Sequence, residues 1–369
     1  MRGWLIAIGV LALMIVGFLF VKGPSPVIIV APEHIFDIGP LGVTNTMFTS
    51  WFVVALICAV AIIAGRNMSV VPSGFSGAVE ALVSGFYGIV VSVAGEQNGR
   101  RFFGLVATIF FYVLVSNYFG LLPFNMVIGK PEAGHGEKQV YFKQMSVLGL
   151  DMAYIPVGPD ECEGTECASA QAAEPAGHGA LPPAGAPGAG AAVSAAAGGG
   201  GTVLAAAEEA EAAPEGTSGL LAPWFRSVNT DVNAPMALAI FSFIFVEFWG
   251  LTTLGPGYLK KFFNFGGLLR GNPMGIIDVF VGFLELLSEL SRVVSFTFRL
   301  FGNIFAGEVL LTMMTFLVPF VLVDIFFGLE LFVGLVQAFV FAMLTLVFAQ
   351  TAVAMHGGGE HETAGEGHH

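Results

Sequence analysis

At residues 291–310 the chain reads SRVVSFTFRLFGNIFAGEVL. This stretch carries Arg292 and Arg299 inside a long apolar segment. The other twelve of the 14 lysines and arginines lie at the ends of apolar runs or in polar loops. An arginine at membrane depth costs about 2.5–3.5 kcal/mol even on the scale derived from membrane insertion. We therefore expect Arg299 to have a function that offsets this cost.

The composition is that of a membrane protein. Hydrophobic residues make up 55% of the chain and charged residues only 11%, and the mean hydropathy is +0.80. Several apolar runs exceed the ~18 residues that indicate a membrane-spanning helix. Much of the acid behind the net charge of −13 lies in one insert and in the C-terminal tail, and no basic surface for nucleic acid is evident. These features predict an all-α integral membrane protein.

The N-terminal third of the chain contains three apolar runs and one mixed segment. Residues 1–24 have a positively charged start and an apolar run, either a cleaved signal peptide or an extra first helix; retention is favoured because no clean small-residue cleavage site follows. Residues 25–127 form an N-terminal membrane part with spans at about 47–64 and 102–122. Residues 69–98 interleave apolar with small and polar residues, which predicts an amphipathic helix at the membrane surface.

An insert of a different character occupies residues 128–219. Its stretch 168–216 is mostly Ala, Gly, Pro and Glu, which cannot bury enough apolar surface to offset the entropy of ordering, so we expect a disordered loop. Cys162 and Cys167 could pair in an oxidising compartment or remain free thiols; metal binding is less favoured because no other ligands accompany them. The tail, residues 356–369, is rich in Gly, His and Glu and is expected to be solvated, with weak metal binding as the alternative.

The C-terminal membrane part, residues 220–355, begins with a span at 232–254. Two very long apolar segments follow, 276–318 and 320–355, so the chain has about five to six membrane helices. As a helix, the 43 residues of the first segment would be about 65 Å long, roughly twice the thickness of a bilayer core. Steep tilt is the simplest explanation, and a helix tilted that far needs a partner surface.

The basic residues predict an orientation in the membrane. Lysines and arginines close to membrane spans favour the cytoplasmic side. Two loops carry them and are expected to be cytoplasmic, so that the insert lies outside and the C-terminal tail inside. The residues concerned are Arg66, Arg100, Arg101, Lys260, Lys261 and Arg270.

The polar residues of the two long segments follow the helical period. Glu285, Arg292 and Arg299 are seven residues apart and share one stripe, whereas Glu308, nine residues beyond Arg299, points to the opposite face. Titratable groups in series at membrane depth indicate a proton or ion path. The alternative is that they only hold helices together. The remaining polar positions are Asn303, close to the stripe of Arg299, and Glu330 and Gln337, which share a stripe on the last helix.

Two other functions fit the sequence less well. A secondary transporter with a Glu and Arg substrate site would usually show internal repeats and helices broken by Gly or Pro at mid-membrane. The sequence has no such repeat, and its long apolar segments are unbroken. A purely structural membrane anchor leaves Arg299 unexplained.

Five motifs resemble subunit a of the F-type ATP synthases. They are RLFGNIFAGE at 299–308, LVQAFVFAMLT at 335–345, VTNT at 43–46, SNYFGLLP at 116–123 and LELLSELSR at 284–292. Together they span residue 43 to about residue 355, leaving out the insert. The first of them is highly specific.

The resemblance implies a membrane stator and proton-channel subunit of the Fo sector in a bacterial inner membrane. Its partners would be a ring of proteolipid c subunits, the peripheral-stalk b subunits and lipid, with no ATP-hydrolysing site, cofactor or metal in this chain. Arg299 would be the essential stator charge facing the ring carboxylates, with Gln337 next to it. Two aqueous half-channels would flank it. Glu308, Glu330 and Asn117 match positions of the outer one, and Glu285, Ser295 and Asn303 those of the cytoplasmic one.

Three positions depart from the family pattern. No proline follows Arg292, Gly120 stands where some relatives carry an acid, and Glu330 stands where some carry histidine. The resemblance therefore implies an outer half-channel in which both titratable groups are carboxylates.

Overall fold

The computed structural model describes residues 9, 11–16, 31–66, 74–122, 125, 128–132, 138–147, 150–154, 161–163, 217–255, 257–258, 262, 275–318 and 321–354. The predictions for the stretch 168–216, for Cys167 and for the tail lie outside these residues. So does most of the predicted N-terminal run, of which residues 9 and 11–16 are helical. The chain divides into two compact units, Met1–Lys130 with Leu221–His369, and Pro131–Leu220.

Five long helices make up the first unit. They are α1 (Asn45–Arg66), α2 (Gly74–Gly120), α3 (Asn233–Leu254), α4 (Gly275–Leu317) and α5 (Val321–Ala354). Each contains a stretch long and apolar enough to cross a membrane. The predicted class, an all-α integral membrane protein, is confirmed. The predicted bounds of α1, α3, α4 and α5 agree with the observed ones to within two residues.

The helix α2 is a hairpin with a sharp reversal at Gly95. Gly95 has φ 76° and ψ 167°, a backbone conformation that side chains with a Cβ rarely adopt. The ring of Phe86 stacks on that of Phe110 at 4.3 Å, although an unbroken helix would separate them by about 36 Å. The two helices predicted at 69–98 and 102–122 are therefore the two halves of α2. The first half ends at Gly95 rather than at residue 98.

The core of the helical unit lies between the second half of α2 and the helices α3, α4 and α5. Its largest fully buried side chains include Phe102 and Ile109 of α2, Leu300 of α4, and Phe341 and Leu346 of α5. Small residues on α5 allow close approach, since Ala338 and its neighbours on the same face are completely buried. The exposed surface of the unit is also apolar, as expected for helices that contact lipid or another membrane subunit.

Hydrogen bonds identify the two ends of the bundle. At one end, called the Asn117 end, the Asn229 side-chain Nδ2 donates to the Asn117 side-chain Oδ1 at 2.7 Å. At the other, called the Asn98 end, the Asn98 side chain donates to Gln350 of α5 at 3.1 Å. Arg101 donates to the Thr252 hydroxyl at the end of α3 at 2.9 Å, so α3 also ends there.

The structure also contains strands that the sequence analysis did not predict. A short antiparallel hairpin, β1 (His34–Ile38) and β2 (Leu41–Thr44), leads directly into α1. Five more strands form a sheet in the order β5-β3-β7-β4-β6, and most of their residues belong to the second unit. They are β3 (Ile128–Glu132), β4 (Lys138–Val147), β5 (Leu150–Tyr154), β6 (Glu161–Glu163) and β7 (Thr217–Pro223). Cys162 lies in β6.

Candidate functional site

Arg299 lies exposed on the flank of α4, and the apolar side chains Val294 and Phe298 on the preceding turns are also exposed. Its Nη2 donates to the Ser295 hydroxyl at 3.5 Å, the outer limit for a hydrogen bond. Its guanidinium carbon is 5.9 Å from the centre of the Phe296 ring. Within the described part of the chain, no carboxylate forms a salt bridge with Arg299. A permanent positive charge is thus presented on an apolar surface.

Asn303 and Gln337 join α4 to α5 one helical turn beyond Arg299. The Asn303 side-chain amide donates to the side-chain Oε1 of Gln337 at 2.6 Å. Gln337 is buried whereas Asn303 is exposed. The resemblance implied that Gln337 lies next to Arg299. In the described part of the chain, Gln337 hydrogen-bonds Asn303, which lies one turn along α4 from Arg299.

A buried ion pair lies at the Asn117 end. The Arg226 Nε is 3.4 Å from the Glu308 Oε1. Arg226 lies outside the helices, in a loop before α3 as the sequence indicates, but only 3% of it is exposed. Glu308 itself is largely buried, so it lies on a different face of α4 from Arg299, as the nine-residue spacing predicts.

Arg226 is held from the N-terminal side of the chain. Its Nη1 donates to the Ala31 carbonyl oxygen at 3.2 Å, and its backbone N–H donates to the Thr49 hydroxyl of α1, also at 3.2 Å. These contacts fix the guanidinium from one side while Glu308 of α4 binds from another. The pair therefore links α4 to α1 and to the segment before α3.

The second acid of this end, Glu330 of α5, is also buried. Its carboxylate lies against Gly307, in the space that a side chain at residue 307 would take. Gly307 directly precedes Glu308, so both acids lie along the same turn of α4. Asn117 is nearby in the fold, since its side chain donates to the Gly334 carbonyl oxygen, one turn beyond Glu330. Three residues expected in one half-channel, Asn117, Glu308 and Glu330, are thus found at one end of the bundle.

The surroundings of Gly120 leave no room for an acidic side chain at this position. A Cβ built on Gly120 would lie 2.5 Å from the Ser227 hydroxyl oxygen. The segment before α3 therefore fills the place that an acidic side chain would need.

A second group of titratable side chains lies toward the Asn98 end. The Arg292 Nη1 donates to the Glu289 carboxylate at 2.7 Å, and its guanidinium lies over the Phe348 ring at 4.5 Å. Glu289 is 3% exposed. Glu285, the acid chosen from the sequence for this side, is only half-buried.

Tyr258 extends this group beyond the end of α3. It is buried, and its hydroxyl hydrogen-bonds Glu247. Burial and then the nearby Glu247 carboxyl raise the pKa of Tyr258 well above its usual value. The phenol is therefore neutral at physiological pH and can donate a hydrogen bond. The ring packs against α3 where Gly250 has no side chain, since a Cβ there would lie 2.8 Å from it.

The order of these groups along α4 gives the site its chemistry. Arg299 is seven residues from Arg292 and nine from Glu308, or about 10 Å and 13 Å along the helix axis. Arg299 thus lies between two groups of titratable side chains, each near a different end of the bundle. The described residues contain no cluster of three or more side chains that could hold a metal ion.

Sequence reasoning missed Arg226, Glu289 and Tyr258. For Glu289 a signal existed, since it lies three residues before Arg292, the spacing at which opposite charges meet on a helix. Arg226 and Tyr258 lie outside the regular helices, where helical periodicity gives no information on burial.

Comparison with known proteins identifies a family. The family model described as ATP synthase A chain matches residues 47–153 and 200–350, more than half of the chain. An ATP synthase subunit a of Moorella thermoacetica is 23% identical over 328 residues, which cover 89% of this chain and 99% of the relative. One of Desulfosudis oleivorans is 25% identical over 305 residues, 81% of this chain and 83% of the relative. One of Helicobacter acinonychis is 35% identical over 133 residues, 36% of this chain and 56% of the relative.

Proposed function

Because the chain belongs to the ATP synthase A chain family, subunit a of the F-type ATP synthases, it has the proton-translocating stator role of the Fo sector, and we propose that Arg299 is the fixed charge of that role. The partners proposed are a ring of small c subunits, whose carboxylates pass Arg299 in turn, and the b subunits of the peripheral stalk. The membrane is a bacterial one.

The exposure of Arg299 carries this proposal. A guanidinium cannot lose its proton at accessible pH, so at membrane depth it needs an anion or water nearby. No carboxylate of the described chain supplies that anion. A carboxylate of a neighbouring subunit would supply it, and the exposed apolar residues around Arg299 would pack on the same neighbour.

Two half-channels complete the proposed mechanism. The outer one includes Asn117, Glu308 and Glu330 at the Asn117 end, and the cytoplasmic one reaches Arg299 from the Asn98 end, past Glu285 and Ser295. A ring carboxylate that enters the site gives its proton to one half-channel, since Arg299 stabilises the anion. It must take up a proton from the other half-channel before it can turn back into lipid, because an unpaired charge there is costly. In this orientation the insert is outside and the C-terminus cytoplasmic.

The test is the replacement Arg299→Ala. We expect it to abolish ATP-driven acidification of inverted membrane vesicles while the complex still assembles, as judged by subunit levels on blots. Arg299→Lys keeps a charge but lacks the planar fork and can lose its proton when buried, so it should also fail or nearly so. Arg66→Ala, which removes an exposed arginine at the end of α1, is the control and should pump normally.

A contrary result is simple to recognise. If an assembled Arg299→Ala complex pumps at close to the wild-type rate, Arg299 is not the fixed charge, and its exposure needs another explanation.

A further inference from the structure

We propose that the half-channel at the Asn98 end passes through the cleft between α3, α4 and α5, and that Glu289 is the residue that carries its proton. The inference rests on the proposed function and deepens it. It gives the proton a route through the interior of the helix bundle, in addition to the positions Glu285 and Ser295 that the resemblance implied.

The cleft is a small, partly open cavity with a mainly apolar wall, into which three polar side chains, Ser242, Glu289 and Arg292, reach. Its volume is about 20 Å³, enough for one water molecule. Residues from all three helices line it, among them Ser242 and Val246 of α3, Glu289, Arg292 and Phe296 of α4, and Phe348 of α5. A water molecule there would have the hydroxyl, carboxylate and guanidinium groups that ordered water requires.

Glu289 is the titratable group of this cleft. It is buried, and Arg292 holds its carboxylate at 2.7 Å. Arg292 is itself fixed, because its guanidinium lies over the Phe348 ring at 4.5 Å. The contact with the ring does not depend on the charge of Glu289, so it can hold the guanidinium when the carboxylate takes up a proton. Glu289 can therefore accept and release a proton without a rearrangement of the helices.

The cleft connects in two directions. Inward, Phe296 forms part of its wall and also lies beneath Arg299, 5.9 Å from the guanidinium carbon. Outward, the Tyr258 hydroxyl lies within the electrostatic influence of Glu289 and Arg292 and hydrogen-bonds Glu247. Titratable groups thus extend from the cleft to the end of α3, and the Phe296 ring separates the cleft from Arg299, so water must carry the proton past this ring.

The step itself is a plain proton transfer. During ATP synthesis a ring carboxyl beside Arg299 loses its proton to water, and the water delivers it to Glu289, whose carboxylate becomes a neutral acid. The new O–H bond then breaks, and the proton passes to water at the Asn98 end. No electron changes hands, and Arg292 keeps its proton throughout.

The competing explanation is that Glu289 and Arg292 form a structural ion pair only. Glu289→Gln separates the two, because glutamine keeps the size of the side chain and can still accept from Arg292, but cannot carry a proton. We expect this variant to assemble and to lose on the order of tenfold or more of ATP-driven acidification. Glu289→Asp, which restores a titratable group, should recover much of the rate.

Chemical rescue is a second test, because a small acid would not restore pumping if Glu289 had only a structural role. Glu289→Ala enlarges the cleft by the volume of the lost side chain. Formate, a small acid that can carry a proton in that space, should raise the pumping rate of Glu289→Ala above that of untreated vesicles. Glu80→Gln, which changes an exposed acid of α2, is the control and should respond neither to the substitution nor to formate.

The outcomes distinguish this inference from the proposed function. If Arg299→Ala abolishes pumping while Glu289→Gln pumps normally, only the route through the cleft is wrong. If Glu289→Gln fails to assemble, or if aspartate and formate both fail to rescue, the ion pair is structural and the inference is overturned. If Arg299→Ala pumps normally, the proposed function falls first.

Discussion

Replacing Gly307 with alanine is expected to slow proton transport without disturbing assembly, because it moves a single carboxylate. Gly307 lies in α4, and the Glu330 carboxylate of α5 occupies the space next to its Cα. The carboxyl carbon and both oxygens lie inside the 3.4 Å at which ordinary van der Waals contact with a new Cβ would begin. The carboxylate of Glu330 must therefore move by about 1 Å or more to admit a methyl group.

The cost in stability should be small. A glutamate has three rotatable bonds, and an off-rotamer adjustment costs about 0.5–1.5 kcal/mol. Alanine is better than glycine in a helix interior by about 1 kcal/mol, which offsets much of that. Proton transfer is far more sensitive, since a misplacement of about 1 Å can lower a rate by on the order of 100-fold. We expect a loss of roughly 10- to 100-fold in ATP-driven acidification at normal subunit levels.

Two comparisons make the experiment decisive. Gly104→Ala in α2 is the control, because a Cβ at this mid-helix glycine meets open space and should leave pumping unchanged. Glu330→Gln should itself slow proton entry. Gly307→Ala should add less than about twofold to that loss if it acts through Glu330. Normal pumping by Gly307→Ala, or losses that multiply in the double variant, would refute the reasoning.

Three further predictions concern stability and assembly. Arg226→Met should lower the free energy of unfolding by roughly 3–5 kcal/mol, because Glu308 loses its buried cation. Adding Glu308→Gln should recover part of this loss, as measured by thermal unfolding of the purified complex. If the double variant recovers nothing, the loss of stability has another source. Deletion of 168–216 should leave assembly and pumping close to wild type, and loss of the complex would show that the segment is a docking element. Gly120→Ala should destabilise by about 1–3 kcal/mol because its methyl group overlaps Ser227, and Ser227→Gly should reverse this. Equal stability of Gly120→Ala and wild type would contradict that packing.

The helices could be predicted closely because the membrane leaves few alternatives. A spanning segment must satisfy its own backbone hydrogen bonds and needs about 20 apolar residues, so hydropathy alone sets the bounds of α1, α3, α4 and α5. The reversal at Gly95 was harder to place. Several glycines occur in the same segment, and nothing in the sequence distinguishes the one at which the chain turns. The strands of the insert were not predicted, because the prediction rested on the average composition of the whole insert. The alternation of apolar and polar residues that indicates a strand is confined to short stretches such as β4.

The sequence predicts only those features of the site that depend on the geometry of a single helix. The spacing of Arg299 and Glu308 within α4 predicts different faces, and the structure agrees. The burial of Arg226 depends instead on Ala31, Thr49 and Glu308, all far away in the sequence. No periodicity within a single segment carries that information.

Three arginines of this chain differ in whether they already bind a carboxylate of the same chain. Arg226 and Arg292 each have a carboxylate of the same chain, at 3.4 Å and 2.7 Å. Neither can bind another carboxylate without leaving its present one buried and unpaired, which costs several kcal/mol. Arg299 is exposed and, in the part of the chain that the structure describes, its hydrogen bond is to a serine hydroxyl at 3.5 Å. Exchanging that weak contact for a passing carboxylate leaves no internal charge unpaired. Of the three, Arg299 alone can therefore bind and release successive carboxylates of a moving neighbour, as the proposed stator role requires.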